Sequence, residues 1–191
     1  MNALTVDIKS VIDLTDEQFY QLCQRNRDLR FERTAQGELI IMPPTGGGTS
    51  QRNGRLTQQL FNWTDADGTG VAFDSSGGFK LPNGANRSPD AAWLTLERWN
   101  TLTPQQQEKF IPLCPDFVVE LMSPSDSLST TQAKMHEYID NGARLGWLLN
   151  RKAKQVEVYR SGKAIEVCRA PETLSGEDVL PGFTLNLAPI W

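Results

Sequence analysis

Apolar residues recur along the chain at two spacings, and the changes between them mark out the elements. In "LTDEQFYQLCQRN", residues 14–26, Phe19 is followed three and four positions on by Leu22 and Cys23. That is one face of a helix, with Thr15 placed to cap it and Asp16 and Glu17 in its first turn. The next segment, "LRFERTAQGELIIMPP", holds two apolar runs around Gln36 and Gly37, the pattern of a β-hairpin ended by two prolines. Helical spacing returns in "TGGGTSQRNGRLTQQLFNWTDADG", where Leu56, Leu60 and Trp63 form a stripe, Thr49 or Ser50 offers a cap and a glycine stops the helix. "GVAFDSSGGFKL" and "SPDAAWL" read as strands separated by the turn "PNGANR", and Thr103 followed by Pro104 opens a short helix.

The second half alternates in the same way. "LCPDFVVELMSPSDS", residues 113–127, is a buried strand running into a polar turn, and "STTQAKMHEYIDNGA" is a helix that ends at Gly142 with Met135, Ile139 and Tyr138 on its buried side. "RLGWLLN", "QVEVYR" and "AIEVCR" follow as strands, and the tail "LPGFTLNLAPIW" offers an edge strand. Helix, hairpin, helix, strands, helix, strands is the order of a mixed α/β domain, with no repeat or low-complexity linker to divide it.

Composition narrows the picture. A chain of 191 residues with 39% apolar and 22% charged positions is long enough for one domain with a real core, so residues 1–191 are expected to form a single domain. The net charge of −4 argues against a broad electropositive surface, while leaving room for a locally basic groove. No segment approaches the ~20 apolar residues that cross a bilayer, and the first residues lack a basic leader with an apolar run, so a soluble, cytoplasmic protein is expected. The three cysteines stand far apart with no C-x-x-C spacing, which indicates neither a disulfide framework nor a thiolate zinc site.

The chemistry sits on the strands. Alternation in "PDFVVELM" puts Asp116, Val118, Glu120 and Met122 on one face and Phe117, Val119 and Leu121 on the other. A carboxylate on a core strand costs several kcal/mol of desolvation unless it is paired or holds a cation. Asp90, at the start of another strand, poses the same problem. If the two strands are neighbours, their acids form an oxygen cluster of the kind that hard divalent ions prefer. The alternative is structural: aspartates capping strand starts, and Glu120 paired with a buried arginine. Lys134, one turn into the helix after "SPSDSLST", either reaches back toward Glu120 or is a solvated lysine beside Glu137. "PPTGGGTSQRNGRL" brings glycines to a helix N-terminus, where Arg52 and Arg55 either touch a phosphate backbone or flank a plain capping loop; no G-K-[ST] follows, so it is not a Walker motif. His136 is two positions on from Lys134, about 200° around the helix, and is read as incidental. One histidine and no G-x-S-x-G elbow speak against a zinc hydrolase and a serine nucleophile.

"RSPDAAWL", "PLCPDFVVELMSPSDSL", "QAKMHEYIDNGARLGWLLN" and "SGEDVLPGF", in this order, resemble the Uma2 family, and the resemblance runs from "GELIIMPPTGG" to the closing tryptophan. It implies a PD-(D/E)XK nuclease fold: a restriction-endonuclease-like core with a central mixed β-sheet flanked by helices, here with an N-terminal helix and hairpin and extra C-terminal strands. Carried over by position, Asp90 is the motif aspartate and Glu120 the second acid. The lysine expected two residues after Glu120 is replaced by Met122, and Lys134 on the next helix takes its place. The resemblance implies that Asp90, Glu120 and the Leu121 backbone carbonyl hold Mg²⁺, with Mn²⁺ as a substitute, and that Lys134 assists hydrolysis of a phosphodiester, with DNA as the expected partner. Asp116 and Glu32 are auxiliary candidates; Glu32 reads equally well as a hairpin surface charge beside Arg33. A homodimer is expected from nucleases that act on duplexes, with an edge among "ARLGWLLN" and "QVEVYR" available for pairing. The competing expectation is a non-catalytic binding or assembly module that keeps the nuclease fold.

Overall fold

The computed structural model describes residues 3–9 and 11–191. A short strand, β1 (Leu4–Val6), precedes helix α1 (Asp16–Arg25), which Thr15 caps through a box with Gln18: the Thr15 hydroxyl accepts from the Gln18 amide and the Gln18 side chain accepts from the Thr15 amide. The expected hairpin forms as β2 (Arg30–Arg33) and β3 (Leu39–Met42), paired antiparallel with Glu32 opposite Ile40. Helix α2 (Gly47–Asp67) begins earlier than its capping residues suggest. Gly46, not Thr49 or Ser50, is the N-cap, and the amides of both Thr49 and Ser50 already bond its carbonyl. Gly68 ends the helix at φ 70°, a left-handed turn that suits glycine.

"GVAFDSSGGFKL" is not one strand. It divides into β4 (Gly70–Asp74) and β5 (Phe79–Lys80), which join different sheets. The break falls at glycines where the chain passes a ring: a Cβ on Gly78 would lie 2.3 Å from Phe110. Then come β6 (Asn86–Arg87), β7 (Ala91–Thr95), the one-turn helix α3 (Leu96–Trp99), α4 (Pro104–Gln107) with its Thr103 capping box, and β8 (Phe117–Leu121). Helix α5 (Leu128–Asp140) leads to β9 (Leu145–Asn150), β10 (Gln155–Arg160) and β11 (Glu166–Arg169). The tail does not extend the central sheet: β12 (Thr173–Ser175) and β13 (Thr184–Asn186) pair with each other as a separate ribbon.

The central sheet is mixed, in the order β11-β10-β9-β8-β7-β4, with β8 and β9 parallel and the other neighbours antiparallel. A parallel pair needs a crossover, and α5 supplies it. Both β9 and β10 are interior, so neither offers the free edge that the sequence suggested; the edges are β11 and β4. A second, antiparallel sheet runs β1-β3-β2-β6-β5.

Alternation along β8 holds. Phe117, Val119 and Leu121 join the core formed with Leu56 and Leu60 of α2 and with Leu180, Phe183 and Leu185 of the tail. Val118 and Met122 join the other core, with Met135 and Tyr138 of α5. The sheet is thus covered on both faces, by α2 and the terminal ribbon on one and by α5 on the other. Glycine lets α5 lie close, since a Cβ on Gly146 would sit 2.5 Å from the Met135 methyl group. Among the described residues no helix is long and apolar enough to cross a membrane. The cysteines are free, as their spacing suggests.

Candidate functional site

Register brings the two strand acids together. Ala91 pairs with Val119, so Asp90, one residue before β7, lies across from Glu120 at the end of β8. The side chain of Asp90 is held at both oxygens: Oδ2 accepts from the Leu121 amide at 2.8 Å and Oδ1 from Asn53 Nδ2 at 2.7 Å. It is the N–H of Leu121 that meets Asp90.

Lys134 comes back from α5 over the same face, as helical spacing requires once Met135 and Tyr138 are buried. Its Nζ lies 2.8 Å from Glu120 Oε1 and 2.8 Å from Glu32 Oε1, with the side chain only 16% exposed. The solvated-lysine reading is therefore excluded by its position. The hairpin-surface reading of Glu32 fails too, since that residue is 3% exposed. Its other oxygen pairs with Arg87 Nη1 at 3.1 Å, and Oε1 also accepts from the Ser88 amide at 2.9 Å. Arg87 Nε turns to Glu137, and Tyr138 donates its hydroxyl to Glu120 Oε1 at 3.1 Å. Lys134 makes no direct contact with Asp90 among the described residues.

Asp116 does not converge with this cluster. It sits before the first residue of β8, where Oδ2 accepts from the Thr95 amide at 3.0 Å and Oδ1 pairs with Arg98 Nη1 at 2.9 Å. Four residues of extended chain, ~13 Å, separate it from Glu120. Of the two α2 arginines, Arg55 is exposed and donates to Gln58, whereas Arg52 lies next to Asn53 in the chain and bonds the Gly48 carbonyl. His136 packs its ring edge-on to Tyr159, away from the carboxylates.

Charge explains the electrostatics. Glu32, Asp90, Glu120 and Glu137 face Lys134 and Arg87, and the charge of Arg30 also reaches Asp90, so the carboxylates outnumber the cations by one if every group ionises. Burial opposes ionisation of Glu32, but Lys134 and Arg87 outweigh it and its pKa falls. Burial likewise works against the Lys134 charge, and Glu120 and Glu32 overcome it, so that pKa rises. Asp90 is pushed up by burial, more than the Asn53 and Leu121 hydrogen bonds pull it down. Burial and the charges of Asp90 and Glu32 raise Glu120 to about 7 against the pull of Lys134. The unmet demand for positive charge therefore falls on Asp90 and Glu120.

Among the described residues, no three Asp, Glu, His or Cys side chains form a ready-made metal cage. Two adjacent carboxylates short of counter-charge nevertheless match a magnesium-type ion, which is bound through one or two carboxylates and keeps several waters. The orphaned Oδ1 of Asn53, buried and without a partner, adds a neutral oxygen beside Asp90. The donor set is all oxygen, so it suits a hard cation.

Sequence reading missed Asn53, Arg87 and Tyr138. Each meets its acid through tertiary approach, 37, 55 and 18 residues away in the chain. The available signals were faint: Asn53 lies on the same α2 stripe as Leu56 and Leu60, and Arg87 stands just ahead of the motif "SPD".

Residues 16–188 match the family model Uma2, described as "Putative restriction endonuclease". Among solved structures, the fold is similar to that of a crystal structure titled as a putative nuclease belonging to DUF820 from Anabaena variabilis, with a TM-score of 0.70 and 19% identity, over 84% of this chain and 88% of that one. At that identity the likeness speaks for the fold. No curated protein matches the chain.

Proposed function

Since the chain belongs to the Uma2 family, we propose that it is a divalent-metal-dependent nuclease that hydrolyses phosphodiester bonds of DNA, built as one nuclease-like domain over residues 1–191. The observation that carries the reading is the convergence of Asp90, Glu120 and Lys134 from β7, β8 and α5, with Lys134 Nζ 2.8 Å from Glu120. A non-catalytic module has no need to bury such a charge-deficient pair.

Asp90 and Glu120 would hold Mg²⁺, or Mn²⁺ in its place, with the Leu121 carbonyl and Asn53 Oδ1 as neutral oxygens at the same strand end. When bound, that ion acidifies water and neutralises charge on the phosphate. The protein's own part is positional. The Leu121 amide and Asn53 aim the Asp90 carboxylate. Tyr138 fixes Glu120. Lys134, seated by Glu32, places an ammonium where charge develops on the phosphoryl oxygens, in a setting of low dielectric where fixed charges act strongly. Arg87 and the Ser88 amide keep Glu32 ionised, so the ammonium keeps its seat.

Incubation of supercoiled plasmid and single-stranded DNA with Mg²⁺ or Mn²⁺ tests the reading. Wild type is expected to nick or cut, EDTA to stop it, and Glu120→Gln and Lys134→Ala to lower the rate at least a hundredfold, the range over which a positioned charge acts. Cleavage that survives both substitutions would remove this site from the reaction.

A further inference from the structure

We infer that Arg52 and Arg151 form a clamp for a backbone phosphate of the nucleic-acid strand, next to the carboxylate and lysine cluster. The inference rests on the nuclease reading and adds to it the contact that holds the substrate.

Both arginines lie at the end of the central sheet that carries Asp90 and Glu120. Arg52 immediately precedes Asn53, whose amide is bonded to Asp90. Arg151 immediately follows β9, whose Leu149 is paired with Leu121 and accepts a bond from the Met122 amide at 3.0 Å. The Nε of each guanidinium is buried and has no acceptor. Among the described residues no carboxylate forms an ion pair with either. Arg52 has only the Gly48 carbonyl, at 2.7 Å. Burial, first, and the charge of Arg52 hold the Arg151 cation below the ordinary arginine value.

Such an arrangement costs free energy in isolation, and an anion between the forks removes the cost. Space exists on the Arg151 side: a pocket of about 390 Å³ is lined by Met122 and Ser123 from the end of β8 and by Arg151 and Lys152, with Arg52 outside its lining. The carboxylate side chain in its lining, that of Asp126, is already accepting from the Ser123 amide at 2.7 Å. Guanidinium suits a phosphate because its N–H groups form a planar fork that binds two oxygens at once.

Fluorescence anisotropy with labelled single-stranded and duplex DNA in EDTA, across a range of salt, tests the clamp without cleavage. Arg52→Ala and Arg151→Ala are each expected to weaken binding roughly tenfold and to reduce the log–log salt slope by about one. Arg151→Lys should recover part of the affinity, and Arg55→Ala should bind as wild type does. In the presence of Mn²⁺, the Arg151→Ala loss should appear in KM, with Mn²⁺ affinity by calorimetry unchanged. Wild-type binding and cleavage by both alanine variants would overturn the clamp and leave the nuclease reading standing. A wild-type chain that neither binds nor cuts DNA would overturn both.

Discussion

Lys134 serves two carboxylates, and Glu120 is the one left short. Glu32 also has Arg87 and the Ser88 amide, whereas Glu120 has the Tyr138 hydroxyl and faces the charges of Asp90 and Glu32. Its pKa therefore stands at about 7, above the ordinary glutamate value of 4.5. A carboxyl whose pKa is raised on folding favours the folded state while protonated; the contribution is complete below about 4.5 and is lost as pH rises through about 7. The metal-free wild type should thus lose stability across that window, on the order of 1–3 kcal/mol, relative to Glu120→Gln, which cannot ionise. Denaturant unfolding at about pH 5 and about pH 8 reads the difference; parallel pH profiles in the two chains would mean that Glu120 is ionised throughout. Glu120, Asp90 and Lys134 are legible in the sequence because strand alternation, helical spacing and the family motifs each act locally. Asn53 and Arg87 are not, because what selects them is a partner many residues away.

Strand β8 and the residue just before it carry two acids with separate uses, which a period of two cannot distinguish. At its start Asp116 ties the strand to the Thr95 amide and to Arg98, beside helix α3; at its end Glu120 meets Lys134. Asp116→Ala is expected to cost about 1–3 kcal/mol of stability, because it leaves the half-buried Thr95 amide without its acceptor. Divalent-ion affinity should stay unchanged. Thermal melting and calorimetry together separate the two effects; a fall in ion affinity as large as that of Glu120→Gln would place Asp116 in the site. The helices α1, α4 and α5 were readable from caps and apolar spacing. The division of "GVAFDSSGGFKL" was not, since it depends on Phe110 approaching Gly78 from far along the chain.

On the scale of the whole molecule, the cluster lies between two sheets: Glu32 and Arg87 belong to β2 and β6, Glu120 to β8. Lys134 joins them. Lys134→Met would leave Glu120 buried without its cation and Glu32 with Arg87 alone, with an expected loss of about 3–5 kcal/mol. Amide hydrogen exchange should show β2 and β3 losing protection more than β9 and β10; uniform loss would mean that the sheets unfold as one unit whether or not the lysine joins them. Composition and hydropathy foretell the mixed α/β class but not this seam, because pairing between distant strands leaves no local trace. The seam also bears on how the site opens to a ligand. An ammonium with two moorings can slip one without drifting: under the proposed function, Glu32, on the far sheet, would keep Lys134 in place were Glu120 to turn to a cation. Under the proposed function, the N–H so freed would be available to a phosphate oxygen through an exchange of side-chain partners.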